Sequence, residues 1–345
     1  MNAQAFIDTR PRLKVDGEEN PDLAQALTAF VVNLPLSGMA HAELTVTNWV
    51  MNESGTMEHG FEALELGSEV EIVMQEEHSV FKGEVTAVEE RYGEGAPQLV
   101  MLLQDKLHRL VRRRQSRAFE DTTVDAIVRE LGSGLGLDVA VSVSSVTATY
   151  HQLNESDLAF LQRLIGPYDI AVRIDGSALR VKAEEADPEP VALDAGDSAL
   201  HVRLIADLNH QYQKTTVKGF NVANGEAVSS DADTPLQPGN DTSAADVLGT
   251  LGWPGDETVP QPFARLQGEG DAFAKGHFNR GAKRFVSGEI RCQGEPALNS
   301  GREITLSGVS ERFAGRYQIV HCVHRFDGDS GFETHLKLNK ADWRA

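Results

Sequence analysis

Short runs rich in Val, Leu and Thr recur through the first 110 residues: "PRLKVDG", "AELTVTNWV", "SEVEIVMQ", "VFKGEVTAVEERYG" and "PQLVMLLQD". Each is bounded by Gly, Asn or Pro, the punctuation of strands, and so many short strands predict a barrel or a sandwich. The alternation is partial. In "FKGEVTAVEE", Val85 and Ala87 share one face, with Glu84, Thr86 and Val88 on the other.

After about residue 110 the period changes. "FEDTTVDAIVRELGSGLGL" reads as a helix, with Thr122 or Thr123 as N-cap and Asp125 near the positive end of the dipole. Val124, Ile127, Val128 and Leu131 form its apolar stripe. A strand, "DVAVSVSSV", follows. In "YHQLNESDLAFLQRLIGPYDIAVRIDGSALRVK", Asn154 is the expected N-cap of a second helix, whose face is Leu158, Leu161, Leu164 and Ile165. Gly166–Pro167 stops it, and two strands then form a hairpin about Asp175–Gly176.

The acidic "AEEADPEPVALDAGDS" marks a boundary, after which strands return with "LHVRLIADL" and "QKTTVKGFN". Residues 223–262 are rich in Gly, Pro and Asp and read as a long excursion. A helix near "GDAFAKGHFNRGAKRF" precedes the last strands, "VSGEIRCQG", "REITLSG", "GRYQIVHCVHRFDG" and "GFETHLKLNK". The expected organisation is mainly β with an α/β insert. Residues 1–110 form a first β-barrel domain, 111–190 an α+β insert, and 191–345 a second β-barrel domain carrying the 223–262 excursion.

The 345 residues suffice for two or three cored domains. A formal net charge of -20 argues against free binding to nucleic acid or to anionic membranes. Cys292 and Cys322 are the only cysteines, so no disulfide framework holds the fold. The start, "MNAQAFIDTRPRLKVDG", lacks a basic segment followed by an apolar core. Synthesis in the cytoplasm is therefore expected.

Four patterns invite chemistry. The glycines of "GSGLG" (Gly132–Gly136) close a helix, whereas a dinucleotide loop must open one, so they read as a cap. In "HCVHRF", Cys322 and His324 share a strand face and Cys292 could join them, but no "CxxC" and no fourth zinc ligand exist. A buried cysteine and a hydrogen-bonded histidine are the expected reading. Carboxylates abound without two being singled out, and "GxSxG", "HExxH" and a P-loop are missing. No catalytic residue, metal or cofactor is assigned. The basic run "KLHRLVRRRQSR" (Lys106–Arg117) suits an interface, with Arg112, Arg113, Arg114 and Arg117 pairing with carboxylates of another domain or copy.

The run from "LGSEVEIVM" through "VRELGSGLGL" resembles the phage late-control protein D family and the related VgrG proteins of type VI secretion. "YHQLNESDLAFLQRLI" is similar to that family's Gln-x-Asn-Glu-Ser-Asp helix, here Gln152, Asn154, Glu155, Ser156, Asp157, Phe160 and Leu161. The closing segment resembles the family's last barrel through Gly294, Pro296, Gly301, Gly315, Tyr317 and His324. The likeness covers most of the chain in order, outside 223–262.

The resemblance implies a baseplate hub of a contractile injection machine, whether phage tail, tailocin or related secretion particle. It implies a homotrimer in which two tail-tube-like barrels per chain make a near-sixfold ring. Such a ring adapts the threefold spike to the sixfold tail tube, with cargo passing through an acidic lumen. The expected partners are the spike, the tube or its initiator, and other baseplate proteins. Because the sequence stops at Ala345, directly after the last strand, the spike is expected to be a separate polypeptide. The competing readings are a carbohydrate-binding, adhesin-like module, disfavoured by three Trp and five Tyr, and a peptidoglycan hydrolase.

Overall fold

The computed structural model describes residues 10–344 apart from 52–53, 62–63, 76, 94 and 237–240. Strands make up 50% of the chain and helices 18%, so the class is mainly β as the patterning implied. The N-terminal part supplies β1 (Arg12–Val15), α1 (Pro21–Ala26), β2 (Leu27–Pro35), β3 (His41–Thr47), β4 (Glu69–Met74), β5 (His78–Arg91) and β6 (Gln98–Gln104). The insert holds β7 (Arg114–Thr122), α2 (Val124–Gly132), β8 (Asp138–Ser142), β9 (Ala148–Ser156), α3 (Asp157–Ile165), β10 (Ala171–Asp175) and β11 (Ala178–Lys182). The remainder adds β12 (Val191–Asp194), β13 (Ala199–Ala206), β14 (Lys214–Asn221), β15 (Glu226–Ala232), α4 (Ala244–Leu251) and β16 (Asp256–Ala264). It ends with α5 (Gln267–Ala282), β17 (Val286–Gln293), β18 (Glu303–Ser307), β19 (Gly315–Asp327) and β20 (Gly331–Lys340).

The expectation of two β-barrels is corrected. One thirteen-stranded sheet runs β13-β17-β20-β19-β2-β3-β6-β5-β4-β1 and ends at a two-stranded hairpin with Glu18–Glu19, with β18 and β12 branching from β19. Among the described residues no closed barrel forms. The reason is the seam: β19 pairs antiparallel with β2 from His321↔Pro35 to Asp327↔Ala29. Each half thereby spends on the other a strand edge that closure would have needed.

Two cores organise the chain. The first joins both halves of the large sheet, with Leu13, Phe30, Leu44, Ile72 and Met101 packed in one cluster with Ile290, Ile304, Tyr317 and Leu336. The second joins the insert, through Phe119, Ile127, Phe160 and Val181, to Val217, Val228, Phe273 and Phe278. The 223–262 stretch therefore carries β15, α4 and most of β16 rather than only loop, and β15 and β16 flank β14 in a separate sheet. Its residues 237–240 lie outside the described residues.

Thr123 caps α2, accepting from the Ala126 N–H at 3.4 Å, and the four stripe residues are buried. Gly136 takes a φ of +65°, a left-handed stop with little cost for glycine. At α3 the expected cap is corrected. Ser156, not Asn154, accepts from the Ala159 N–H at 3.2 Å, because β9 stays extended to that residue. The hairpin pairs Asp175 with Ala178 across Gly176–Ser177.

Candidate functional site

The residues singled out in "QLNESDLAFL" form one junction between β9, α3 and β7. Gln152 is fully buried and its side chain is satisfied on both sides. Its amide donates to the Glu155 carbonyl at 3.0 Å and to Asp157 Oδ1 at 2.9 Å, and its oxygen accepts from Arg117 Nε at 2.9 Å. Arg117 Nη2 also reaches Asp157 at 3.1 Å, and its guanidinium lies 4.6 Å from the centre of the Phe119 ring. Phe119 stacks on fully buried Phe160, with centroids 5.5 Å apart, beside fully buried Leu161.

Asn154 is the extra residue where the β7–β9 register slips, since Gln115 pairs with Glu155 but Ser116 with Leu153. Its φ of +52° suits Asn better than most side chains, and its N–H donates to Ser116 Oγ at 3.0 Å. Glu155 takes two 2.8 Å bonds from Arg163, which hold its carboxyl below the usual range. The motif is thus a folding junction whose polar members neutralise one another.

The closing motif surrounds residues 294–301, the loop between β17 and β18, which packs against His324 of β19 and Thr334 of β20. His324 and Thr334 are fully buried, and neighbouring polar groups satisfy both imidazole nitrogens. The Glu295 N–H donates to Thr334 Oγ1 at 3.1 Å, and Thr334 Oγ1 stands 3.1 Å from His324 Nδ1. The only consistent proton order has the Thr334 hydroxyl donating to Nδ1 and Nε2–H donating to the Leu298 carbonyl at 2.9 Å. Burial pushes this histidine down to about 4, so it stays neutral. Cys322 and Cys292 are buried beside it, 3.5 Å from the carbonyls of Leu298 and Thr334 respectively. Burial raises the Cys292 thiol to about 12, and raises that of Cys322 as well.

Gly294 and Gly301 are required by close approach. A Cβ on Gly294 would lie 1.9 Å from the Phe332 ring, and one on Gly301, whose φ is +86°, 2.3 Å from the Arg173 guanidinium. Gly315, at φ +122°, starts β19, and buried Tyr317 donates to the Phe313 carbonyl at 2.7 Å. Pro296 lies within the loop between Gly294 and Leu298.

The basic run divides. Arg117 works inside the junction, and Arg114 donates to the Asn154 carbonyl at 3.1 Å. Arg112 donates to His108 Nδ1 at 3.2 Å, while Arg113 is exposed. Its sequence neighbours His108 and Arg109 both hold Glu84 on β5, His108 at 2.7 Å. Burial alone would raise the Glu84 carboxyl, but these bonds outweigh it and the net direction is down. Asp105 has two backbone N–H partners, Ala40 at 2.8 Å and Leu107 at 2.9 Å, but burial dominates and pushes it up to about 7.

Sequence reading missed a buried ion pair of the insert, against which Gly301 of the loop packs closely. Arg173 on β10 and Glu184 are both buried and form a two-bond pair, with Nη2–Oε2 at 3.1 Å. Ser300 then ties the same loop to the N-terminal half, its hydroxyl donating to the Leu34 carbonyl at 2.6 Å. An arginine among the valines and isoleucines of "IAVRID" was the available signal. Chemically, these contacts position elements. Among the described residues, no group of three or more His, Cys, Asp or Glu is placed to hold a metal ion.

The profile of one family, the Alg8 N-terminal domain, matches residues 9–327. No curated protein matches the sequence. Several solved structures share the fold. A 43 kDa tail protein of prophage MuSo2 from Shewanella oneidensis aligns with a TM-score of 0.71 at 14% identity, over 96% of this chain and 98% of that one. A tail protein from Neisseria meningitidis MC58 gives 0.68 at 12% identity, over 96% of each. An E. coli type VI secretion component, described as similar to the T4 tail proteins gp27 and gp5, gives 0.59 at 13% identity, over 94% of this chain and 76% of that one. The fold is that of phage tail proteins and their secretion-system relatives.

Proposed function

The chain belongs to the Alg8 N-terminal domain family, and from its fold, shared with phage tail proteins, we propose that it is a structural tail component, the hub of a contractile injection particle. The observation that carries this is one sheet of thirteen strands spanning both ends of the chain, in a fold shared over 96% of its length with two tail proteins. In this reading three copies form a ring between spike and tail tube and line the channel. Each chain contributes two similar half-sheets, joined at the β2–β19 seam, so three chains present six. That number matches a sixfold tube while the copies retain threefold symmetry for a spike.

The role is structural rather than enzymatic. Gln152, Ser156, Phe160, Leu161, Tyr317 and His324 of the two motifs are buried and packed, an arrangement that supports stability. The partners are further copies, the spike, the tube and other baseplate proteins, and the protein works assembled in a phage-tail-like particle. Electron microscopy of the purified protein with co-expressed spike provides the test. A threefold ring of six lobes around an open channel is expected. Monomers with and without the spike would sink the reading.

A further inference from the structure

The large sheet has two ends of opposite character. At one end β13 pairs only with β17. Its eight residues include neither Pro nor Lys, and Leu200 and Ile205 remain 49% and 40% exposed. Such an edge is a template for association unless something covers it. Beside it a groove of about 470 Å³ runs between the sheet face and the end of α5. Arg203, Arg280, Lys283, Arg284 and Lys337 line this groove against only two carboxylates, Asp169 and Glu289.

Those carboxylates are already engaged. Asp169 lies 3.0 Å from Lys283 and 3.8 Å from Arg280, and Glu289 lies 4.0 Å from Arg203. Arg284 and Lys337 are exposed and make no ion pair among the described residues. On a chain of net charge -20 such a concentration of cations calls for an anionic occupant.

The other end of the sheet supplies one. There the chain turns at Asp16–Gly17, both at positive φ, into the short Glu18–Glu19 strand and then Asp22 in the first turn of α1. Asp16, Glu18, Glu19 and Asp22 are exposed within seven residues, and among the described residues only Glu19 forms an ion pair, with Arg12 at 2.8 Å. Asp16 also accepts from the Glu69 N–H.

We propose that the basic groove beside β13 seats the acidic Asp16–Asp22 hairpin of a second copy of this chain. The contact is heterologous, end to opposite end of the same open sheet, and repetition of such a contact closes a ring when the rotation permits. It also covers the bare β13 edge of the large sheet. This deepens the hub reading and rests on it.

Sedimentation velocity of the full chain tests the idea. Wild type should trimerise, and Arg284→Glu with Lys337→Glu should raise the dissociation constant about a hundredfold or more, since like charges then face each other. Glu18→Lys with Asp22→Lys should do the same. The chain carrying all four changes should trimerise again, because every groove then meets a hairpin of opposite sign. Near-ultraviolet circular dichroism, expected unchanged, separates lost assembly from lost folding, and the recovery in the fourfold variant does so independently. A wild-type chain that stays monomeric with and without co-expressed spike would sink both this contact and the homotrimer reading. A wild-type trimer indifferent to the reversals, or one whose fourfold variant fails to recover, would overturn the contact alone. The contact is also overturned if the reversals leave the trimer intact while abolishing binding of a short duplex DNA.

Discussion

Arg117 on β7 and Gln152 on β9 meet through a 2.9 Å hydrogen bond from the guanidinium Nε to the amide oxygen, in the interior of the insert. The bond fixes the amide's orientation, so the opposite end of the same group can donate to Glu155 and Asp157. A single buried amide thus sets where strand becomes helix.

Replacing Gln152 by Leu leaves the Arg117 Nε–H and the Asp157 carboxylate without this partner. Both groups are part-buried and keep each other as partners, so each lost bond costs about 1–1.5 kcal/mol. Urea unfolding should show a loss of about 3 kcal/mol, and a double-mutant cycle with Asp157→Ala should show non-additivity. Additive effects would mean that the two side chains do not act as one unit.

Gly294→Ala and Gly301→Ala should each destabilise the protein by about 2 kcal/mol or more, through overpacking against Phe332 and Arg173 respectively. Gly134→Ala is the matched control, since a Cβ there meets nothing within 4 Å. It should leave the melting temperature unchanged or slightly raised. Equal melting temperatures for all three variants would refute the close-packing account.

Glu184→Ala leaves Arg173 buried without its principal counter-charge, a change that costs about 3–5 kcal/mol where burial is deep. Arg173→Met with Glu184→Leu removes both charges and should recover most of that loss. Denaturant titration of the single and double variants measures the difference. A double variant as unstable as Glu184→Ala would show that the pair contributes more than mutual neutralisation.

His324 makes stability depend on pH with a definite sign. Its folded pKa is depressed to about 4 from an ordinary 6.5, so the unfolded chain binds a proton first as pH falls. The stability contribution is complete above pH 6.5 and is lost as pH falls toward 4, at up to about 1.4 kcal/mol per pH unit from this one group. In His324→Gln that part of the slope should disappear. The native imidazole C2 proton, followed by NMR, should show no titration between pH 8 and 5; a midpoint near 6.5 would contradict the burial argument.

Much of the local structure was legible. The α2 stripe and its Thr cap, the Gly136 stop, the hairpin near Gly176 and most strands of the large sheet follow from period, propensity and turn chemistry. These are short-range effects, written where they act. The α3 cap was misplaced because Asn154 and Ser156 are both good caps. Which one serves depends on how far β9 pairs with β7, a partner 26 to 42 residues away. The bonds of Arg117 were not legible, because Gln152 and Asp157, which it meets, share no local pattern with it.

Sequence alone therefore determined the β class, the helices of the insert and the acidic charge. Tertiary structure decided how the pieces join. β2, "LTAFVVNLP", was not read as a strand at all, yet it is the seam whose partner, His321–Asp327, lies almost 300 residues further along. The same folding brought the 214–282 segment into the core of the insert and set the basic groove at one end of the sheet, with the acidic hairpin at the other. Periodicity reports which face of an element is buried, because burial repeats every two or every 3.6 residues. It is silent about what that face is buried against, because strand pairing and docking are settled by energies summed over contacts distant in sequence.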